Sequence, residues 1–527
     1  MFVVFACGFV GASIYGFTSG NPYKFFSGLD GDGNFCGYSD GYTDYPYLYF
    51  ADLTASNIWN YAVCVSSCPD GNSTISCHTT TYVTDCNAYE QYDTYNFADE
   101  YCIPSYDDLP EDLKSYYISS GLESYLNSAS QYISDMINAW SAYLIALVTC
   151  FILLFLYSVF IRYCAAILAW LSYILVFFAI AGLGCYSYFY AISYYEDGDS
   201  TQNMLKITAY VLWGLSVLYV LLICCLYKDV RKSIAIIQAA AAFMQTNMHV
   251  ILVPIYSIVF TVCFLAYYLI GQVYLFCVGT ITPVLLEDGT YTRTIEWTDL
   301  TEYLNYFFFF GFLWVLALVL ACNFFVIASC VCHWYFTSSS DTRGNISITQ
   351  GIWWAVRYHL GSLAFGSFIL AVVWLIRIIF EYVAAQLKKA EGNNPAGMFI
   401  KCMVCCCRCC LSCVNRFIKF LSENAYVQIL LTNENFCPAA LNAFLLILKN
   451  AATFALTEAA GTIIITLGKI LISVLNTLLI FFILTNLSYL VDQINSPFAP
   501  AIVAFLISFT FVSVFLSIFD VAQTAIM

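Results

Sequence analysis

Charge is what this chain lacks. Only 10% of its 527 residues are Asp, Glu, Lys or Arg and 61% are hydrophobic, whereas roughly 25% charged residues is usual for a soluble domain. That composition excludes an ordinary soluble enzyme. The four histidines, His78, His249, His333 and His359, are scattered, and the sequence has no phosphate-binding loop, HExxH pair or nucleophile elbow. No catalytic residues, metal site or cofactor are therefore expected, and nothing points to nucleic acid. The short alternating segments that a membrane β-barrel needs are also missing.

What is present is apolar sequence in long blocks. A block of about 18 residues or more crosses the roughly 30 Å hydrocarbon layer as a helix, because every backbone group there must be satisfied internally. The blocks are Met1–Phe17, Ile137–Ile161, Tyr163–Ile192, Leu205–Tyr227, Val250–Gly279, Tyr303–His333, His359–Ala385, Thr462–Leu484 and Pro500–Phe519. A weaker one, Ala439–Leu456, is interrupted by Lys449. The expected fold class is an all-α polytopic membrane protein, a bundle of about ten transmembrane helices. Met1–Phe17 has no basic residues ahead of it and no clear cleavage site behind, so it reads as a first helix rather than a signal peptide. Its abrupt start, and the ending at Ala525-Ile526-Met527, read as a chain short of its natural termini.

The scarce charge is unevenly placed. Between Asn21 and Met136 stand 17 Asp and Glu against Lys24 and Lys114, so this stretch carries the whole net charge of −15. The expected organisation is a first transmembrane helix (1–20) and an acidic, cysteine-rich extracellular or lumenal module (21–136). Helices two to seven (137–385), a basic cysteine-rich juxtamembrane segment (386–438) and C-terminal transmembrane helices (439–527) follow. Lys and Arg in short loops mark the cytosolic side, which places Arg162 in a loop between helices two and three, and Lys228, Arg231 and Lys232 after helix four. The acidic loops with Glu196, Asp197 and Asp199, and with Glu287, Asp288, Glu296, Asp299 and Glu302, belong on the module's side. Further on the rule conflicts with itself: 334–358 and 386–421 both look cytosolic, yet one helix joins them. The Ala239–Ala242 run beside Lys232 suggests a cytosolic helix lying on the membrane face.

The cysteines divide into two chemistries. Cys36, Cys64, Cys68, Cys77, Cys86 and Cys102 form an even set in the exposed module, which implies disulfides with 15 pairings open. Asn72 and Asn486 head candidate glycosylation sequons on the same side; Asn345 heads one expected to face the cytosol. A second run holds Cys402, Cys405, Cys406, Cys407, Cys409, Cys410 and Cys413, interleaved with Lys401 and Arg408. Two of its spacings resemble zinc-ligand pairs. A basic juxtamembrane run suits S-acylation better, with Cys405, Cys406, Cys407, Cys409 and Cys410 as candidates, and plain packing at the membrane face is the rival.

Several ordered segments identify a family. In the module, Gly31-Asp32-Gly33-Asn34-Phe35-Cys36-Gly37 precedes Tyr45-Pro46-Tyr47-Leu48-Tyr49-Phe50 and Cys64-Val65-Ser66-Ser67-Cys68-Pro69. Later come Arg357-Tyr358-His359-Leu360-Gly361-Ser362, Cys409-Cys410-Leu411-Ser412-Cys413, Asn424-Ala425-Tyr426, Asn435-Phe436-Cys437, Asn442-Ala443-Phe444 and Phe515-Leu516-Ser517-Ile518. In that order the chain resembles the choline transporter-like family, solute carrier family 44, over nearly its whole length. The resemblance implies a plasma-membrane or organellar transporter of choline, and of ethanolamine, with about ten helices and both termini cytosolic. The chain departs from the family in its short ends and in its 42 Tyr and 44 Phe.

A choline cation cannot donate a hydrogen bond from its nitrogen, so aromatic faces must recognise it, each worth about 0.5–2 kcal/mol. Trp213, Trp314, Trp374 and Tyr358 are the aromatic candidates, set against a lipid-facing belt as the bland alternative. Charges inside helices are costly and mark function by default. Glu458, between two apolar blocks near Gly461, is the preferred carboxylate; Lys469 and Asp520 lie on the last helices, and Arg377 and Glu381 are spaced to pair with each other. The first functional reading is a choline carrier working by alternating access in the lipid bilayer. The second is a transport-inactive interaction protein whose module binds membrane-protein partners.

Overall fold

The computed structural model describes residues 2–53, 55, 57–70, 74–89, 92–97, 99–104, 135–194, 200–286, 289–337, 347–389, 395–486 and 496–527. Among them nine helical segments are long and apolar enough to cross a membrane, one for each strong block of the sequence. The chain divides into two compact units, Met1–Gln131 with Val262–Phe312 and Tyr132–Thr261 with Leu313–Met527.

In the first unit, α1 (Phe2–Ser19) and α2 (Pro22–Phe26) lead into the module. Its strands β1 (Tyr47–Phe50), β2 (Ala62–Val65), β3 (Thr94–Phe97) and β4 (Tyr101–Pro104) form one sheet in the order β2-β1-β4-β3. The β1–β2 and β3–β4 pairs are antiparallel, and β1 meets β4 in parallel with Leu48 opposite Tyr101. Three disulfides join Cys36 to Cys64, Cys68 to Cys102 and Cys77 to Cys86. They stand beside a small core of Tyr49, Val63, Val65 and Tyr92, because a module this acidic and this small cannot rely on burial alone. The Gly31–Asn34 turn is held by Asp30, whose Oδ1 accepts from the backbone N–H groups of Asp32 and Asn34 at 3.0 and 2.7 Å. Gly33 sits there at φ +83, where a side chain would be strained.

The same unit takes the end of α6 (Leu252–Phe276), the β5–β6 hairpin (Thr280–Leu285 and Tyr291–Glu296) and the start of α7 (Asp299–Phe336). The hairpin pairs Thr280 with Glu296 and Leu285 with Tyr291. Its runs TITPVL and YTRTIE are rich in β-branched residues, which favours strand over coil. Rings hold the helices together: Phe9 stacks on Phe308 at 4.3 Å and Tyr268 on Phe312 at 4.2 Å.

In the second unit, α3 (Trp140–Tyr194), α4 (Ser200–Cys225) and α5 (Tyr227–Thr246) precede α8 (Ile348–Arg357), α9 (Leu360–Lys389), α10 (Pro395–Thr432), α11 (Phe436–Lys449), α12 (Ala451–Asn486) and α13 (Phe498–Ile526). Two expectations change. The loop at Arg162 is absent: the chain stays helical through it, since FIRYCAAI offers no Gly or Pro to turn on, and Arg162 donates to Gln245 Oε1 at 2.7 Å. The weak block Ala439–Leu456 is not one span; α11 ends at Lys449, Asn450 caps it, and α12 begins at Ala451. Helix α5 forms around the alanine run and packs one face against the other helices. Ile237, Ala240, Ala241 and Phe243 are buried, Asp229 Oδ1 accepts from Thr453 Oγ1 at 2.9 Å, and Thr457 Oγ1 donates to Ser233 Oγ at 2.8 Å.

A line of polar contacts runs along α12. Beyond Thr453 and Thr457, Gln523 Nε2 donates to Thr457 O at 3.0 Å and Tyr157 Oη to Ile464 O at 2.8 Å. Asn476, fully buried, accepts from Thr149 Oγ1 at 2.6 Å and donates to Ala146 O and Ser508 Oγ at 2.9 and 2.8 Å. Helices gain little hydrophobic drive for association within lipid, so small residues and interhelical hydrogen bonds of this kind fix which faces meet.

Candidate functional site

Helix α10 lies antiparallel along α9. Glu381 of α9 accepts two hydrogen bonds from Arg408, at 2.8 Å from Nε and 2.5 Å from Nη2, instead of pairing first with Arg377. Nearer the start of α9, Gly366 faces Tyr426: a Cβ on Gly366 would stand 2.5 Å from the Tyr426 hydroxyl. Of the two basic segments that the sequence could not reconcile, one precedes α9 and the other lies largely in α10, the helix that returns along it. Hydropathy passes over the return because α10 carries Lys401, Arg408, Arg416 and Lys419.

Between α7, α9 and α10 opens a pocket of about 160 Å³. Helix α7 contributes Phe324, α9 contributes Trp374, and α10 contributes Asn415, Lys419, Glu423 and Tyr426. The α10 residues share one face, as three- and four-residue steps require. Phe324 and Tyr426 lie 6.2 Å apart, tilted, and Tyr426 is backed by Phe436 at 6.0 Å. Lys419 Nζ stands 3.6 Å from Glu423 Oε1, with the lysine side chain 62% and the glutamate 28% exposed. The ammonium therefore sits outward and the carboxylate inward. Glu458 and Asp520 add negative charge within electrostatic reach of Glu423, and Lys469 acts on Asp520. The buried Oδ1 of Asn415 accepts no hydrogen bond among the described residues. Aromatic faces, an inward carboxylate and an open acceptor are what a small hydroxylated cation would use.

The structure does not gather all the residues expected from sequence. Trp374 lines the pocket. Glu458 stands half-buried on an unbroken α12, as a charge neighbour rather than a lining residue. Trp314 is buried, with its Nε1 donating to Ala364 O at 2.9 Å and its ring 5.1 Å from Phe368. Trp213 packs on Gly184, where a Cβ would lie 2.7 Å from the indole, and beside Tyr188 and Tyr210. Tyr358 is 67% exposed at the end of α8. Glu423, Asn415 and Tyr426, which line the pocket with Trp374, were not among the residues expected from sequence. Their signal was in the sequence: a carboxylate and an amide at helical spacing on a run that also carries an aromatic.

The side chains of Cys405, Cys406, Cys407, Cys409 and Cys410 are exposed on α10. Asn486 donates within its own helix to Phe482 O at 2.8 Å, while Asn72 and Asn345 lie outside the described residues.

Nine membrane-length helical segments among the described residues, with a disulfide-knit module after the first of them, define a polytopic integral membrane protein. Residues 210–527 match the family model described as plasma-membrane choline transporter, and the chain belongs to that family. It is 24% identical to choline transporter-like protein 2 of Dictyostelium discoideum over 99% of this chain and 88% of that protein. Choline transporter-like 1 of Aedes aegypti is 24% identical over 99% of this chain and 85% of its own length. Choline transporter-like protein 2 of Homo sapiens is 24% identical over 93% and 83%.

Proposed function

We propose that this transporter carries choline, and smaller amines such as ethanolamine, across the plasma membrane by alternating access, with the pocket of Trp374, Phe324, Tyr426, Glu423 and Asn415 as the substrate site. The convergence of aromatic faces and one inward carboxylate carries the reading. The methyl groups of the ammonium would lie against the rings, the charge would face Glu423, and the hydroxyl would donate to Asn415 Oδ1. A volume of about 160 Å³ is below the ~300 Å³ at which pockets for drug-sized ligands begin, which suits so small a cation. The names of the relatives support the substrate class. No observation favours the interaction-protein reading.

Purified chain in proteoliposomes should take up labelled choline saturably, and Glu423→Gln should weaken uptake. Correctly inserted protein without saturable uptake contradicts the proposal. S-acylation of Cys405 to Cys410 and glycosylation at Asn72 and Asn486 belong to the same proposal. Hydroxylamine-sensitive acyl exchange and glycosidase shifts on the native protein test them.

A further inference from the structure

A second recess lies wholly within the first unit, about 640 Å³ in volume, between α2, the start of β4 and the last turns of α6. Tyr23, Tyr101 and Tyr274 line it beside Glu100. Two of the rings are held: Tyr101 Oη donates to Phe26 O at 2.7 Å, and Phe17 packs edge-on to Tyr274 at 5.2 Å.

The nearby cations make their direct contacts with other groups, although the Arg293 charge also reaches Glu100. Arg293 donates to the carbonyls of Phe25 and Ser27, and Lys24 stands over the Phe35 ring at 5.3 Å. Glu100 forms no ion pair within 4.0 Å among the described residues. Below the tyrosines the wall is apolar and faces outward: Leu269 is 53% and Val273 39% exposed on a helix long enough to cross the membrane.

We propose that this recess binds a membrane phospholipid with a quaternary ammonium headgroup, a phosphatidylcholine of the leaflet on the module's side. The three rings and Glu100 receive the trimethylammonium, a tyrosine O–H donates to a phosphate oxygen, and the acyl chains cover Leu269 and Val273. An anionic headgroup would be repelled by the Glu100 carboxylate, whereas a trimethylammonium is drawn to it. Free choline would leave the outward apolar wall uncovered, and the volume falls in the ~300–1,000 Å³ range of sites for larger ligands. The site shares no residue with the Trp374 pocket, so the two proposals stand or fall separately.

Native mass spectrometry of the full chain, given equal dioctanoyl-phosphatidylcholine and dioctanoyl-phosphatidylglycerol, tests it. The wild type should retain phosphatidylcholine roughly tenfold better, and Glu100→Gln and Tyr23→Leu should each remove most of that preference. A thermal melt in detergent unchanged from the wild type shows that both variants are folded. Equal retention of the two lipids, a preference that survives both substitutions, or displacement by free choline as effective as by the lipid overturns the assignment.

Discussion

Trp374 and Trp213 are both half-buried tryptophans on apolar helices, yet they differ in what lies opposite. Trp374 shares its pocket with Glu423 and Asn415, whereas Trp213 fills the space over Gly184. Trp374→Ala should therefore raise the half-saturating choline concentration by about tenfold, as loss of one cation–π face implies, and Trp374→Phe should recover part of it. Trp213→Ala should leave that concentration unchanged and lower the unfolding temperature. Uptake kinetics and a thermal melt on the same preparations separate the two. At Gly366, a methyl group would meet both the Tyr426 hydroxyl at 2.5 Å and the Phe436 ring at 2.6 Å. Gly366→Ala should cost about 1–3 kcal/mol of stability by overpacking and weaken choline uptake as Tyr426 shifts.

Helix α12 is fixed by polar contacts rather than by hydrophobicity alone. Asn476 serves three partners from a fully buried position, so Asn476→Leu should destabilise the second unit by about 1–3 kcal/mol for each buried group left unpaired. Asn476→Ser should be milder, and denaturation in detergent reads the difference. The nine membrane-length helical segments among the described residues were legible because a continuous apolar run can do little else in a chain this poor in charge. The break at Asn450 was not, since Lys449 marks a helix end and a mid-helix charge alike. Nor was the pocket. Glu423 lies in a run that also holds Lys419, Arg416 and Arg408, which reads as a solvated basic face until α9 is seen packed against it. Glu458 was chosen for lying beside Gly461, but α12 does not bend there and the glycine only makes room for Gln523. In the module the six cysteines announced disulfides, while their pairing depended on a sheet order that no local pattern encodes.

Across the molecule, a neutral membrane body and a module of net charge −15 answer to different conditions. Burial pushes the Asp30 carboxyl above its usual 3.8, against the opposing pull of the Asn34 and Tyr42 hydrogen bonds, and burial with neighbouring Asp99 also raises Glu100. A raised carboxylate binds its proton more tightly in the folded state, so its contribution is present below the unfolded value and is lost as pH rises through the folded one. The module should accordingly become more stable as pH falls towards the ordinary carboxylate range, seen as greater amide-exchange protection around residues 30–36 after correction for intrinsic rates. The disulfides bound that response. Removing the Cys68–Cys102 bridge, which closes 34 residues of sequence, should cost about 2–5 kcal/mol and leave the helices of the second unit unaffected. The central claim is that a choline cation rests between Trp374, Tyr426 and Glu423. A cryo-electron microscopy difference map, with and without saturating choline, tests it most directly. The prediction is new density bounded by those three side chains; density elsewhere in the bundle, or none in a preparation competent for uptake, would contradict it.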